Sequence, residues 1–400
     1  MNTPPKKIRV AIVISHPIQH FVHLYKALAK QEGIQLKVFF ASKIGLNTYF
    51  DKDMAVEIKW AIDLLGGYEH EFLSEADTIK ESGFWNINNP SIIAALKLYK
   101  PDVVQLHGYA QLTLLRALIW CNLRKIPVLL WSDSSLLFLR PPLKEFLKGL
   151  FLPVLLKRFS GVLSTGDNNT DYYLKYGIKP NHIFRCPFTI DEQLLNDAKV
   201  NRPDLRVQHR NNYKIDSDEF VLLFIGKLAP WKRPQDLLEA IDIAQRKLGA
   251  SKKLVAFFAG NGVMRDELEA TVNSKNIRAI FAGFINVDVL PSIYAMADVL
   301  IFPSEREPYG LSAREAICVG LPLIVSDQIG CLGATDAARP DVNALVYPSL
   351  NVEALAQKIV ELVSQPTLYT KMSEASLNVA ADMAADKSVA GFLAAVNAEI

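Results

Sequence analysis

The sequence has few cysteines, and it has no long uncharged apolar run. Its four cysteines are scattered along 400 residues, at Cys121, Cys186, Cys318 and Cys331. This spacing matches neither a zinc site nor a disulfide framework, so we expect a reducing, cytoplasmic setting. A transmembrane helix needs about 18 consecutive apolar residues, and no such stretch is present. The apolar run at residues 8–14 is interrupted by Arg9 and is too short for a signal peptide.

The sequence also lacks an excess of charge of one sign. Its formal net charge is +2, which gives no general attraction to nucleic acid. We find no internal repeat and no low-complexity tract. Half of the residues are hydrophobic and 22% are charged, as in ordinary globular proteins. A chain of 400 residues is too long for one ordinary core, so two domains are expected.

Short apolar runs alternate with segments of helical spacing in both halves of the chain. We predict strands at residues 8–15, 36–41, 102–106, 127–131, 161–164, 220–225, 254–258, 280–282, 298–302 and 323–325. Helical segments separate most of these strands, and this alternation indicates parallel sheets covered by helices on both faces. The predicted fold class is therefore α/β, with two doubly wound, Rossmann-like domains facing across a cleft.

The predicted domains are residues 1–190 and residues 219–372. The polar stretch between them, 191–218, is rich in Asn, Asp and Arg and is predicted to be the linker. The Ala-rich segment 373–400 is predicted to be helical. In open parallel sheets, ligands bind beyond the carboxyl ends of the strands, so the residues that follow each strand predict the site.

The segment from Pro303 to Gly320 carries the strongest chemical pattern. Two carboxylates, Glu307 and Glu315, are separated by seven residues, with Gly310 between them. Glycine lets the backbone pass close to a ligand, and the following helix start favours an anion. A ligand with both hydroxyls and phosphates, such as a nucleotide sugar, suits this arrangement. The alternative interpretation is local: Glu307 is a solvated loop residue, and Glu315 belongs to a capping box that begins at Ser312.

This segment resembles the signature of retaining glycosyltransferases of family 4 (glycosyl transferases group 1), which have the GT-B fold. The proline-serine opening, the Glu-Pro-aromatic-Gly-Leu core, the Glu-Ala pair and the Gly-x-Pro exit all match. The resemblance implies that Glu307 contacts hydroxyls of the donor sugar and that Glu315 contacts the ribose. It also implies that the first domain binds the acceptor, the second binds the nucleotide sugar, and the terminal helix crosses back to the first domain.

The segment that begins at Gly226 resembles the phosphate-binding segment of the same family. Lys227 stands where the family has an arginine, and Lys232 stands where it has a lysine. Both are cations, although lysine is a point charge and arginine is a bidentate fork. Two cations and a helix start stabilise a leaving diphosphate without a metal. The alternative is that both are ordinary surface lysines.

Further donor-binding residues are implied by the resemblance at the other strand ends of the second half. Gly260-Asn261-Gly262 resembles a glycine loop beside the nucleotide, although such a string also marks any tight turn. Gly283-Phe284 stands where the family contacts the base. The predicted donor-binding residues are thus Glu315, Gly310, Leu311, Tyr309, Gly260, Asn261, Gly283, Phe284 and Ser304.

The first half departs from the commonest family pattern. It opens with a His-Pro-Ile-Gln string at residues 16–19, which resembles a subset of the family. Asp133 stands nearest to the position of the usual active-site histidine, and we predict that it lies near the sugar. We place His16, Gln19 and His107 on the acceptor side. The alternatives are a helix-capping role for Asp133 and structural roles for the histidines.

Two Asp-x-Asp strings, residues 51–53 and 216–218, resemble metal motifs of a different glycosyltransferase fold. The second reads as a turn before a strand, and the first follows no predicted strand end. We therefore expect no metal and no other cofactor.

The catalytic residues predicted from the segments above are Glu307, Lys227, Lys232 and Asp133.

Residues 140–158 combine lysines with an apolar helical stripe. Such a segment either lies on an anionic membrane surface or covers the sheet as an ordinary amphipathic helix.

The function expected from the resemblance is a retaining, metal-independent hexosyltransferase. Its donor is a UDP-sugar or a GDP-sugar, and its acceptor is a glycan or lipid-linked glycan of cell-surface polysaccharide or lipopolysaccharide. An alternative is a catalytically weak, nucleotide-sugar-binding partner subunit of a glycosylation complex. Another GT-B enzyme, such as an epimerase or a phosphorylase, is disfavoured by the two glutamates.

Overall fold

The computed structural model describes residues 7–46, 48–51, 53, 54, 56–137 and 141–399. Arg140 and Lys52, which belong to two of the segments discussed above, lie outside the described residues. The strands of the N-terminal domain are β1 (Ile8–Ile14), β2 (Ile34–Phe40), β3 (Tyr49–Asp51), β4 (Val56–Ile58), β5 (Glu69–Phe72), β6 (Val103–His107), β7 (Val128–Ser132), β8 (Gly161–Ser164) and β9 (Ile183–Arg185).

Seven of these strands form one parallel sheet, in the order β5-β2-β1-β6-β7-β8-β9, while β3 and β4 form a separate antiparallel hairpin. The helices of this domain are α1 (Gln19–Ala29), α2 (Ile92–Tyr99), α3 (Leu112–Leu123), α4 (Pro142–Leu156) and α5 (Asp167–Lys175). The central strands are apolar throughout because helices cover both faces, and Val10 to Val13 are wholly buried.

The second domain repeats this plan. Its strands are β10 (Glu219–Ile225), β11 (Lys253–Ala259), β12 (Ala279–Gly283), β13 (Val299–Phe302), β14 (Leu323–Ser326) and β15 (Ala344–Tyr347), and they form a parallel sheet in the order β12-β11-β10-β13-β14-β15. Between the domains lie α6 (Glu192–Val200) and α7 (Arg202–Asn212). The remaining helices are α8 (Pro234–Leu248), α9 (Arg265–Lys275), α10 (Leu290–Met296), α11 (Leu311–Cys318), α12 (Val352–Ser364), α13 (Pro366–Asp382) and α14 (Ala385–Asn397).

The strand order reverses once in each sheet, beside β1 and β6 in the first and beside β10 and β13 in the second. Such switch points open a crevice at the carboxyl ends of the strands, where ligands bind. Residues 16 and 107 lie at the first switch point, and residues 226 and 304 lie at the second. Two facing doubly wound domains form the GT-B architecture, so the predicted fold class is confirmed.

The segments outside the two sheets differ from the simplest expectation. The polar stretch 191–218 contains α6 and α7, which pack against α10 of the second domain. The segment from residue 373 holds the end of α13 and all of α14, separated at Met383, instead of one helix. Helix α14 packs on β8, β9 and α1 of the first domain. The approach is close, since a Cβ atom on Gly391 would lie 1.7 Å from the Arg185 carbonyl oxygen.

No helix in the described part of the chain has both the length and the apolar character needed to cross a bilayer.

Candidate functional site

The loop after β13 and the start of α11 hold the two glutamates of the signature segment. The helix begins at Leu311, and Gly310 precedes it with a φ of +108°, a conformation that favours glycine. A Cβ atom on Gly310 would also lie 2.5 Å from the Phe302 ring. Ser312 lies inside the helix instead of capping it, so the capping-box interpretation of Glu315 is wrong.

Glu315 faces a cavity from the first turns of α11. One of its carboxylate oxygens accepts a hydrogen bond of 2.6 Å from the Tyr294 hydroxyl. Burial raises the pKa of Glu315 to about 7, although the Tyr294 hydrogen bond and the neighbouring Arg314 act in the opposite direction. A carboxylate held by a single hydroxyl still has lone pairs free for ligand hydroxyls.

Glu307 and Lys232 form an ion pair at the carboxyl edge of the second sheet. Lys232 ends a short 3-10 turn after β10, and its ammonium group also lies 5.5 Å from the centre of the Phe302 ring. The Glu307 loop is fixed by its own backbone, because the Glu307 N–H donates to the Gln328 carbonyl at 3.1 Å. Both side chains are largely shielded, so the predicted sugar contact and the predicted phosphate contact are adjacent.

Lys227, the other predicted phosphate cation, contacts two aspartates of the first domain. Its ammonium group lies 3.0 Å from an Asp51 oxygen and 2.8 Å from an Asp53 oxygen. Burial favours the neutral lysine, but the hydrogen bonds to Asp53 and Asp51 raise the pKa of Lys227 overall. Sequence reasoning considered Asp51 and Asp53 only as metal ligands and missed this contact across the cleft. The Asp-x-Asp string was the only available signal.

Three glycines end adjacent strands beside this lysine. Gly226 follows β10, Gly260 follows β11, and Gly283 is the last residue of β12. All three have positive φ. A Cβ atom on Gly260 would lie 1.9 Å from the Gly226 carbonyl oxygen, so the glycine loop packs directly on the Lys227 loop. The Leu228 N–H donates to the Asn261 carbonyl at 2.9 Å and completes this support.

Four further predicted donor-binding residues fall into two groups: two have buried polar atoms, and two have aromatic rings that pack on the first domain. Asn261 Oδ1 and Ser304 Oγ are buried and have no hydrogen-bond partner among the described residues. Tyr309 is 3% exposed and packs on Phe188 of the first domain, with ring centroids 4.7 Å apart, which gives its ring a role in domain packing. Phe284 packs against Trp60, also of the first domain, at 6.2 Å.

A small cavity of about 90 Å³ lies between the domains at Glu315. Leu311, Leu290 and Pro291 form its apolar wall in the second domain, and Gln19 and His23 of α1 face them from the first domain. The cavity is therefore completed only when both domains are present. It joins an apolar wall to the buried carboxylate of Glu315, which is the composition expected of a small-molecule site.

Residues 206–379 match the family model "Glycosyl transferases group 1". This range contains the cations, the glycine loops and both glutamates described above. After this match we refer to the second domain, which the matched range spans, as the group 1 domain. An uncharacterized glycosyltransferase of Methanocaldococcus jannaschii is 33% identical over 181 residues, which cover 44% of this chain and 43% of that protein. The match thus spans less than half of that relative.

The group 1 domain and the first domain together resemble solved structures over almost the whole chain. HepE from Anabaena, solved in complex with UDP, has a TM-score of 0.71 at 15% identity and covers 98% of this chain and 100% of its own. WaaG, a glycosyltransferase involved in lipopolysaccharide biosynthesis, has a TM-score of 0.60 at 16% identity. This match covers 96% of this chain and 99% of the WaaG chain. At these identities the likeness establishes the fold.

Two predicted residues of the N-terminal domain, Gln19 and Asp133, follow the carboxyl ends of β1 and β7. Gln19 lines the cavity, and its side-chain oxygen has no hydrogen-bond partner in the described part of the chain. Asp133 follows β7 with an accessible side chain, and the surrounding protein raises the pKa of its carboxyl group by desolvation. Helix α4 begins only at Pro142, so the helix-capping interpretation of Asp133 is wrong.

The two predicted acceptor-side histidines have structural contacts. His107 Nε2 lies 2.7 Å from the Tyr25 hydroxyl, and its ring packs against Phe21 and Trp131. Burial lowers the pKa of His107 to about 3, so the ring is neutral at physiological pH. His16 Nδ1 lies 2.9 Å from the Ser15 hydroxyl, and burial lowers its pKa as well.

A partly buried ion cluster joins the first domain to the group 1 domain, and nothing in the sequence pattern indicated it. Arg185 contacts Asp336 at 2.6 Å and Asp167 at 3.3 Å. The Asp167 N–H, at the start of α5, donates to the other Asp336 oxygen at 2.7 Å. Burial raises the pKa of Asp336 to about 6, while Arg185 acts to lower it. This cluster fixes the two domains beside the cleft.

Proposed function

We propose that this protein is a retaining, metal-independent glycosyltransferase that transfers a hexose from a nucleotide sugar. The observation that carries the proposal is the convergence of Glu307, Lys232 and Lys227 at one switch point of the group 1 domain, with Glu315 in the adjoining cavity. In this arrangement Glu307 would contact the sugar, the two lysines the diphosphate, and Glu315 the ribose. This is the order of the three groups along a nucleotide sugar. The proposal extends the family match to the activity of the whole chain.

In the proposed reaction, the bond between the anomeric carbon and the phosphate oxygen breaks, and the acceptor oxygen bonds to the anomeric carbon on the same face. Negative charge grows on the departing diphosphate, where Lys227, Lys232 and the start of α11 stabilise it. The sugar becomes oxocarbenium-like, and Glu307 holds its hydroxyls. The departing phosphate accepts the proton of the acceptor hydroxyl, so no separate carboxylate nucleophile is needed. Asp133 is proposed to lie near the sugar.

We propose a UDP-sugar as the donor and a glycan or lipid-linked glycan as the acceptor. The UDP bound by HepE and the lipopolysaccharide pathway of WaaG support this choice by analogy between proteins of one fold. We place the proposed transfer in the cytoplasm, as a step in the biosynthesis of cell-surface polysaccharide or lipopolysaccharide.

The first test is calorimetric titration of the full chain with UDP, GDP, ADP and CMP and with their common sugar conjugates, with and without EDTA. We expect one nucleoside diphosphate to bind, and we expect its Kd to be unchanged by EDTA because lysines neutralise the phosphates. Binding that requires a divalent cation would contradict the metal-free site. Binding of no nucleotide would contradict the proposed function.

We also propose that α4 contacts the cytoplasmic face of an anionic membrane. Six large apolar side chains of this helix are exposed: Leu143, Phe146, Leu147, Leu150, Phe151 and Val154. Only Leu152 and Leu156 are buried against the sheet, so the helix both covers the sheet and presents an apolar stripe to solvent. Lys144 is exposed beside this stripe, and lysines near an apolar helix face favour anionic headgroups.

This contact predicts co-sedimentation with vesicles that contain phosphatidylglycerol at low salt. Phe146→Ser with Phe151→Ser should weaken vesicle binding by at least about tenfold, because burial of each ring in the interface contributes roughly 1.5 kcal/mol or more. Leu98→Ser, which changes an 82% exposed leucine of α2, is the matched control and should bind as the unmodified protein does. Equal binding to vesicles of phosphatidylcholine alone would contradict the electrostatic part of the proposal.

A further inference from the structure

The N-terminal domain reaches across the cleft with the β3–β4 hairpin and the segment that follows it. We call the described residues of the range 48–63 the cleft arm. The Asn286 side chain of the group 1 domain holds the arm at one end. Its amide donates to the Lys59 carbonyl at 2.7 Å, and its oxygen accepts from the Ala61 N–H at 3.2 Å. The Trp60 ring packs on Phe284 beside this anchor.

The hairpin end of the cleft arm brings two carboxylates to Lys227. The ammonium group donates to Asp51 Oδ1 at 3.1 Å, to Asp51 Oδ2 at 3.0 Å and to Asp53 Oδ2 at 2.8 Å. A lysine ammonium has three hydrogen-bond donors, so these three contacts use all of them. Asp51 Oδ1 also accepts from the N–H groups of Asp53 and Met54, which orients the carboxylate toward the lysine.

This arrangement has a direct consequence for an anionic ligand. A diphosphate that binds Lys227 needs donors that these contacts occupy, and it repels the two aspartates that hold them. The Asp51 side chain is only 14% exposed, so water screens the repulsion less than it would on an open surface. The carboxylates and a diphosphate therefore do not share Lys227.

We propose that Asp51 and Asp53 compete with the donor diphosphate for Lys227, so that donor binding requires release of the hairpin end of the cleft arm. The proposal rests on the proposed function, which assigns Lys227 to the diphosphate. The Asn286 anchor lies at the other end of the arm and keeps it on the group 1 domain while Lys227 changes partners. The two aspartates of the first domain thus set the affinity of the second domain for its donor.

The experiment compares the full chain with its Asp51→Asn, Asp53→Asn double variant by calorimetric titration with UDP and with inorganic pyrophosphate. Asparagine keeps an oxygen that accepts the two N–H groups of the turn, so the hairpin is preserved while both charges are removed. We expect the Kd for both probes to fall about fivefold to tenfold, the range that corresponds to the loss of about two partly shielded ion pairs.

The second Asp-x-Asp string of the chain provides the matched control. Asp216→Asn with Asp218→Asn removes the same two charges, and Asp218 pairs with Lys253 at 3.0 Å at the opposite, amino-terminal end of β10 and β11. We expect this variant to bind both probes as the unmodified chain does. An equal gain in the control would assign the effect to net charge and overturn the competition.

Two other outcomes separate the competition from the function on which it rests. Unchanged or weaker binding by the Asp51→Asn, Asp53→Asn variant, with clear binding by the unmodified chain, would overturn the competition alone. No binding of UDP or pyrophosphate by any of the three proteins would overturn the assignment of Lys227 to a diphosphate, and the competition with it.

Discussion

Replacement of Lys232 by methionine is expected to lower kcat for sugar transfer by about 100-fold or more at saturating donor. The ammonium group of Lys232 lies beside Glu307 and next to the predicted path of the departing diphosphate. Removal of one fixed charge that stabilises developing negative charge costs on the order of 3 kcal/mol in the barrier. The substitution also leaves the carboxylate of Glu307 without its partner. Steady-state kinetics with the donor identified by calorimetry measure the effect.

The fold should survive this change, because Lys232 ends a short 3-10 turn outside the core and methionine retains most of its apolar stem. Lys252→Met is the matched control, since Lys252 lines a groove on the far side of the group 1 domain. It should keep the kcat of the unmodified protein. Full turnover by the Lys232→Met variant with saturating donor would mean that Lys232 does not stabilise the leaving diphosphate.

Glu307→Gln separates the two roles at this pair. Glutamine retains hydrogen-bond acceptance toward sugar hydroxyls but removes the charge that now pairs with Lys232. A larger loss of kcat in Lys232→Met than in Glu307→Gln would indicate that the cation acts on the phosphate directly. Equal losses would indicate that the ion pair acts as one unit, since linked groups give non-additive effects.

Much of the fold could be predicted from the sequence because the strands at the centre of each sheet are continuous apolar runs. β10, for example, contains Val221, Leu222, Leu223 and Phe224, all buried, and such a continuous apolar run is typical of a strand covered on both faces. The positions of the strand ends then followed, and with them the glycines and lysines at the switch points. Of the edge strands, β12 was predicted, whereas β5, β9 and β15 were missed. β5 reads Glu-His-Glu-Phe, and no periodicity distinguishes such a short polar strand from a loop.

The contacts across the cleft could not be predicted from the sequence. Lys227 and Asp51 are 176 positions apart, and only the packing of the two domains brings them together. The same holds for His107, whose strand-end position suggested an acceptor contact. Its ring packs against Phe21 of α1 and Trp131 of β7, and no sequence pattern indicated these contacts. A position at a strand end predicts the region of a side chain, while its neighbours decide whether it is exposed.

Arg314 was not singled out by sequence reasoning, although it lies between the two signature glutamates. Its side chain is 1% exposed, which is rare for arginine. One guanidinium nitrogen donates to the Met383 carbonyl at 2.6 Å and to Glu192 at 3.1 Å, and another lies 3.1 Å from Cys318 Sγ. Glu192 also accepts from the Ala385 N–H at 2.9 Å. Arg314 therefore joins α11, α6 and the turn between α13 and α14.

Replacement of Arg314 by alanine is expected to lower the free energy of unfolding by about 3 kcal/mol. The change leaves a cavity, leaves the Met383 carbonyl without its donor and removes the charge that partners Glu192. Urea unfolding followed by tryptophan fluorescence measures the loss. Glu192→Gln should cost only about 1 kcal/mol, because Glu192 is 38% exposed and glutamine still accepts from the Ala385 N–H.

The matched control for Arg314 is Arg246→Ala, which removes a 70% exposed arginine from α8 together with its pair to Asp242. Exposed pairs of this spacing contribute about 0.5 kcal/mol or less, so the control should unfold almost as the unmodified protein does. A loss below about 1 kcal/mol for Arg314→Ala would mean that the three segments hold together without the guanidinium group. The larger loss would mean that the guanidinium group of Arg314 holds the signature helix, α6 and the turn between α13 and α14 together.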